Sequence, residues 1–172
     1  MSKKVKHRNL LPLIAAVVVI AAVAVSLIPK NTENPPTPET QPSETDASFS
    51  GNDITIQTGD IGTDASYFNY DAGGITVQVL AVQASDGTVR LALNTCQVCR
   101  GSPYAYFLQD GDWFICQNCG NRFASTEIGI ASGGCRPVPI TDDIYTEQDG
   151  VITIPASFLE ENASLFKNWK KL

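Results

Sequence analysis

Hydrophobic and polar residues follow three different patterns along the chain. Residues 10–28 are nineteen consecutive positions without a charge. At ~1.5 Å rise per residue they make roughly 28 Å of helix, close to the ~30 Å hydrocarbon core of a membrane. Residues 29–52 lose that continuity and hold five of the ten prolines among Thr, Glu, Asn, Ser and Gln. Such a composition cannot bury a core and favours solvated, extended chain. In polyproline geometry, at ~3.1 Å per residue, a stretch of this length reaches up to about 75 Å. From Asp53 onward, short runs alternate apolar and polar residues with a period of two, as half-buried strands do.

That alternation predicts strands over 53–58, 66–70, 75–83 and 88–93, the last two joined by a tight turn at Ser85, Asp86 and Gly87. A second hairpin is predicted from 104–108 and 112–115, turning at 109–111. A late strand, 151–154, follows the turn at Asp149 and Gly150. Residues 157–169 read as a terminal helix, with Phe158, Leu159, Leu165, Phe166 and Trp169 on one face. Ser157, with Glu160 three positions on, predicts its N-cap. The expected fold class is mainly β (α+β). It comprises short antiparallel strands and hairpins, a cysteine-knuckle metal site and a C-terminal helix, all after one transmembrane helix.

Charge gives the chain a direction. Residues 1–30 hold five basic residues and no acid, whereas the other 142 carry seven basic and eighteen acidic residues, a net of −11. Lys3, Lys4, Lys6 and Arg8 precede the apolar segment and keep the N-terminus cytoplasmic. The expected organisation is a cytoplasmic tip at 1–9, a transmembrane signal-anchor at 10–28, a linker at 29–52 and an extracytoplasmic domain at 53–172. A cleaved signal peptide is the competing reading, but its apolar region usually spans only about 7–15 residues. The localisation expected is the cell membrane, single-pass. So acidic a domain is a poor partner for nucleic acid, whose affinity comes mainly from cationic contacts to phosphate.

His7, the only histidine, lies ahead of the apolar segment. Chemistry in the folded part therefore proceeds without imidazole, which excludes Ser-His-Asp and Cys-His catalysis and His-ligated zinc enzymes. No P-loop, GxGxxG or paired-carboxylate arrangement supports a nucleotide enzyme or a glycosidase. No catalytic residue is identified, and a metal-binding or redox carrier is expected rather than an enzyme.

The cysteines carry the chemical information. Cys96-Gln-Val-Cys99 and Cys116-Gln-Asn-Cys119 are two CxxC pairs separated by sixteen residues, and Cys135 follows after Gly133-Gly134. Two such pairs around a hairpin are a strong metal signature. Gly120 supports it, since a glycine there turns backbone N–H groups towards thiolate sulfurs. Thiolates suit zinc, copper(I), iron or an iron–sulfur cluster, and not calcium or magnesium. Cys96, Cys99, Cys116, Cys119 and Cys135 are the candidate ligands. Cys135 is open to three roles: a spare ligand, a replacement for one of the four, or a free thiol. A structural zinc ribbon and a CxxC thiol–disulfide oxidoreductase are the alternative readings.

These residues resemble a known family, the FtrD-like membrane iron–sulfur proteins. The resemblance rests on Asp86-Gly87, Cys96, Cys99, Gln109, Gly111, Cys116, Cys119, Gly120, Phe123, Ile128-Gly129, Gly133-Gly134-Cys135, Pro137 and Pro139, and covers residues 54–160. It implies a membrane-attached domain that binds an iron–sulfur cluster or iron. It also implies electron transfer or metal handling with components of an iron-uptake or redox system. This chain has one apolar segment where some relatives have a multi-span part, and Arg136 where many have Asn.

Overall fold

The computed structural model describes residues 44–49 (backbone only), 51–130 and 132–170. The expected cytoplasmic tip, the expected membrane span and most of the expected linker lie outside the described residues. Among the described residues no helix is long and apolar enough to cross a membrane.

Eleven strands and one α-helix are described: β1 (Glu44–Phe49), β2 (Ile54–Gln57), β3 (Ser66–Asp71), β4 (Thr76–Gln83), β5 (Val89–Cys96), β6 (Phe107–Asp110), β7 (Trp113–Cys116), β8 (Arg122–Ala124), β9 (Pro137–Pro139), β10 (Thr146–Gln148), β11 (Val151–Ile154) and α1 (Ala156–Asn162). They form a five-stranded sheet in the order β1-β3-β4-β5-β9 and two three-stranded sheets, β10-β11-β2 and β6-β7-β8. Every pairing is antiparallel except that of β1 with β3. The mainly β fold with a short C-terminal helix is therefore the one the alternation predicts. Glu44–Phe49 pair as a strand within the stretch whose composition reads as linker.

The central sheet is covered on both faces. Val77, Val79 and Ala81 of β4, with Leu91 and Leu93 of β5, join a cluster with Ile54, Ile56, Ile152, Ile154 and Leu159. On the opposite face Leu80, Val82 and Ala92 pack with Phe107, Phe114, Ile128, Cys96 and Cys116. The period-two pattern of β4 thus serves two cores. Its one buried polar residue, Gln78, is accommodated by hydrogen bonding to Asn69 and Asn94.

Three local expectations change. The second hairpin turns over Gly111 and Asp112, because Asp110 pairs with Trp113 and Gly111 takes φ +58°. The helix begins at Ala156 with Pro155 as N-cap, and Ser157 does not cap it. Its first free N–H, on Ala156, instead donates to Asp53 Oδ1 at 2.9 Å, so the cap comes from far away in sequence. Glu160 is turned to other use and accepts the Tyr70 hydroxyl at 3.0 Å. The helix also ends earlier than its apolar face suggests, at Asn162, and a 3-10 turn (Ala163–Phe166) carries the face onward.

Strand β5 sets up the site. It pairs with β9 through Leu93 and Val138, then through Cys96 and Pro137, with a register shift between. The extra residues, Asn94 and Thr95, bend the strand end as a bulge does. Pro137 and Pro139 are tolerated because β9 is an edge strand.

Candidate metal centre

Three chain segments bring the five cysteines together. Cys96 ends β5, and Cys99 follows in a tight turn whose Cys99 N–H donates to Cys96 Sγ at 3.3 Å. Cys116 ends β7, directly across from Phe107 of β6. Its turn closes when Gly120 N–H donates to the Cys116 carbonyl at 2.8 Å, with Gly120 at φ +73°. The backbone N–H groups of Asn118 and Cys119 also favour the ionised Cys116 sulfur. The two knuckles thus share one design: a strand end delivers the first sulfur, and the following turn aims N–H dipoles at it.

Cys135 arrives on a loop of glycines, with Gly133 at φ +99° and Gly134 at φ +69°. Gln97, inside the first knuckle, holds that loop. Its Nε2 donates to the Pro137 carbonyl at 2.9 Å, and its Oε1 accepts from Gly133 N–H at 2.7 Å. Its backbone N–H donates to the Arg136 carbonyl at 3.0 Å. Cys135 Sγ then lies 3.0 Å from Cys96 Sγ, 3.8 Å from Cys99 Sγ and 2.8 Å from Cys119 Sγ.

The sulfurs of Cys96, Cys99, Cys116 and Cys135 all lie within 4.8 Å of one another. Cys96 and Cys116 are buried, Cys99 and Cys135 half-buried, and Cys119 is exposed. The donor set is sulfur alone. A tetrahedral ion with ~2.3 Å metal–sulfur bonds sets its ligands roughly 3.8 Å apart, so one iron or zinc fits this span. Cys119, whose Sγ lies 2.8 Å from that of Cys135, adds a fifth thiol beside these four. The residues present therefore fit a thiolate-held metal group.

Burial and crowding set the acidity of these thiols. Burial pushes the Cys116 thiol up to about 12 and raises Cys99 as well. Cys135 is raised by burial and by hydrogen bonding to the Cys119 and Cys96 sulfurs. At Cys119 burial works upward too, but hydrogen bonds from Cys135, the Asn121 N–H and other cysteines outweigh it and lower the thiol. Crowded sulfurs cannot all ionise unless a cation sits among them, and a bound cation reverses this logic.

The surrounding aromatics divide. Phe107, Phe114 and Tyr106 are buried packing, whereas Tyr104 and Trp113 are exposed. Phe123 packs edge-on to Phe107, and Arg136 lies over its ring. Asn94 and Gln97 are the site residues that the motifs do not mark. Asn94 is fully buried in the β5 bulge; its Oδ1 accepts from Phe107 N–H and its Nδ2 donates to Gln78 Oε1, both at 2.8 Å. It thereby ties the small sheet that carries Cys116 to the strand that carries Cys96. The one available signal was a polar residue between Leu93 and Cys96 in a strand-like run.

A family model described as "Membrane iron-sulfur containing protein FtrD-like" matches residues 61–166. The chain belongs to the FtrD-like family. That match spans both knuckles, the glycine loop of Cys135 and the helix that closes the first core. No curated protein and no solved structure matches the chain. The FtrD-like domain thus joins a family named for a membrane-associated iron–sulfur protein to a cysteine cluster able to hold a metal ion.

Proposed function

We propose that this chain is a membrane-anchored, extracytoplasmic metal protein whose centre is iron or an iron–sulfur cluster. Cys96, Cys99, Cys116, Cys119 and Cys135 supply its ligands, and its role is electron transfer or metal handling in iron uptake. The observation that carries this reading is the convergence of five sulfurs, from three segments, with no other donor type among them. Membership of a family named for membrane iron–sulfur proteins supports iron among the thiophilic metals. The residues 10–28 supply the anchor, and the basic run before them sets the orientation.

In this reading Cys96 and Cys116 hold the group from the buried side, and Gln97 presents Cys135 to it. The group, when bound, supplies one-electron chemistry; the chain binds it, shields it with Phe107 and Phe114, and leaves one edge open at Cys119. A structural zinc ribbon is the second reading, favoured by the closeness of four sulfurs to the spacing of one tetrahedral ion.

The test is anaerobic purification of the full-length protein in detergent, followed by metal and sulfide analysis and a visible spectrum. Bound iron with absorption bleached by dithionite is expected. Colourless protein with one zinc per chain would establish the ribbon instead. Metal-free protein with its CxxC pairs oxidised would overturn both in favour of thiol–disulfide chemistry.

A further inference from the structure

The acidity of the folded domain is not spread evenly. The three stretches that surround the cysteines, 94–109, 113–126 and 128–141, contain no Asp or Glu, and neither does 162–170. All fourteen acids after Gly51 fall outside them. The cations do the opposite. Six are described: Arg90, Arg100, Arg122, Arg136, Lys167 and Lys170. Arg90 pairs with Asp86, Arg122 with Asp110 and Arg136 with Glu127. The other three, Arg100, Lys167 and Lys170, make no ion pair among the described residues.

Arg100 lies on the loop that follows the first knuckle, and Lys167 and Lys170 lie in the C-terminal segment held against that loop. Lys170 N–H donates to the Pro103 carbonyl at 2.8 Å, Asn168 Nδ2 reaches the Gly101 carbonyl at 3.4 Å, and Trp169 packs edge-on to Tyr106 at 5.9 Å. The knuckle and this loop carry two of the large apolar side chains left in solvent, Val98 at 68% exposure and Tyr104 at 47%. Val98 sits between Cys96 and Cys99, at the lip of the sulfur cluster. An apolar centre beside unpaired cations is the anatomy of a recognition surface with a polar rim.

We propose that this loop and the C-terminal segment form a docking surface for a partner protein that presents an acidic patch beside the cysteine cluster. Net charge argues for it by contrast: the molecule as a whole repels an acidic partner, so only an approach to this face is favoured, which fixes orientation as well as attraction. A membrane surface is the weaker occupant. In the proposed function, lipid here would cover the edge of the site that meets solvent at Cys119, the exposed member of the five cysteines. The charges and the apolar lip belong to the chain itself, and only the choice of a protein over lipid rests on the proposed metal function.

The test uses the full-length protein in neutral-lipid nanodiscs and a fluorescein-labelled peptide of about twenty glutamates, titrated by anisotropy at about 20 mM and about 300 mM NaCl, where screening lengths differ several-fold. Saturable binding that weakens with salt is expected. Arg100→Gln/Lys167→Gln/Lys170→Gln should weaken it roughly tenfold or more, and the triple Glu variant should abolish it, with metal content unchanged in both. Hydrogen exchange should show protection over 97–104 and 167–170. Absence of saturable binding, binding unaltered by the Gln variant, or protection elsewhere would overturn the proposal. So would protection of the same segments by anionic-lipid nanodiscs with exclusion of the peptide, which would assign the face to the membrane. Loss of metal from every protein, wild type included, would count against the metal reading alone.

Discussion

Gln97 is the residue on which the place of Cys135 turns, and Gln97→Ala isolates its contribution. The substitution removes two side-chain hydrogen bonds, to the Pro137 carbonyl and from Gly133 N–H, and leaves the backbone bond to the Arg136 carbonyl. Each bond contributes about 0.5–1.5 kcal/mol net, so docking of the glycine loop weakens by about 1–3 kcal/mol, or roughly 5- to 150-fold. If Cys135 is a ligand, metal affinity falls by that factor, since binding must then order the loop. Competition of the full-length protein with a chromogenic chelator measures it. The same substitution in a Cys135→Ser background should then cost almost nothing, because Gln97 has no sulfur left to position. An equal loss in both backgrounds, or no loss in either, would refute the argument that Gln97 works through Cys135.

Two further substitutions test the scaffold. Gly129 takes φ +72°, and a Cβ there would meet the Leu91 carbonyl oxygen at 2.6 Å; Gly129→Ala should therefore cost about 2–5 kcal/mol from backbone strain and overlap, seen as a Tm lower by roughly 10–25 °C. Tyr70 is held above its usual pKa by burial and by its bond to Glu160, so the folded state keeps a proton that the unfolded chain releases first. Its stabilisation is complete below about pH 10 and is lost as pH rises through the folded value; Tyr70→Phe should cost about 1–2 kcal/mol at neutral pH and flatten that alkaline decline in denaturant melts.

What the sequence revealed follows from the range of the interactions concerned. The Asp86-Gly87 hairpin is a local device, with Gly87 at φ +81° and Asp86 Oδ1 accepting the Thr88 N–H, and it reads directly from the residues. The cysteine spacing is legible for the same reason, since each knuckle is built within five residues. Elements that owe their existence to distant neighbours are hidden. β9 is two prolines about a valine and looks like a break, yet an edge strand does not need their N–H groups. β10 is exposed throughout and has no apolar alternation to detect. β5 runs to Cys96, beyond the apolar stretch that suggests an end at Leu93, because Asn94 is satisfied by the Phe107 N–H and Gln78. The helix cap on Asp53 and the Gln97 clasp are tertiary contacts that no window along the chain contains.

The placement of the cysteines has a physical logic that joins stability to function. The sheet of β6, β7 and β8 has strands of four, four and three residues, too small to be stable alone. It survives by packing Phe107 and Phe114 against Leu80, Val82 and Ala92, and that second core is completed by Cys96 and Cys116. Thiols in such a place act as small apolar side chains while protonated, the state that burial favours at Cys116. A bound thiophilic cation would change the balance: the same sulfurs would ionise, and strand ends, turn and glycine loop would be held to a single point. The core that needs closing and the site that needs ligands are then one set of atoms. In the proposed function, any exchange is confined to where packing stops, and Cys119 and Val98 are exposed there.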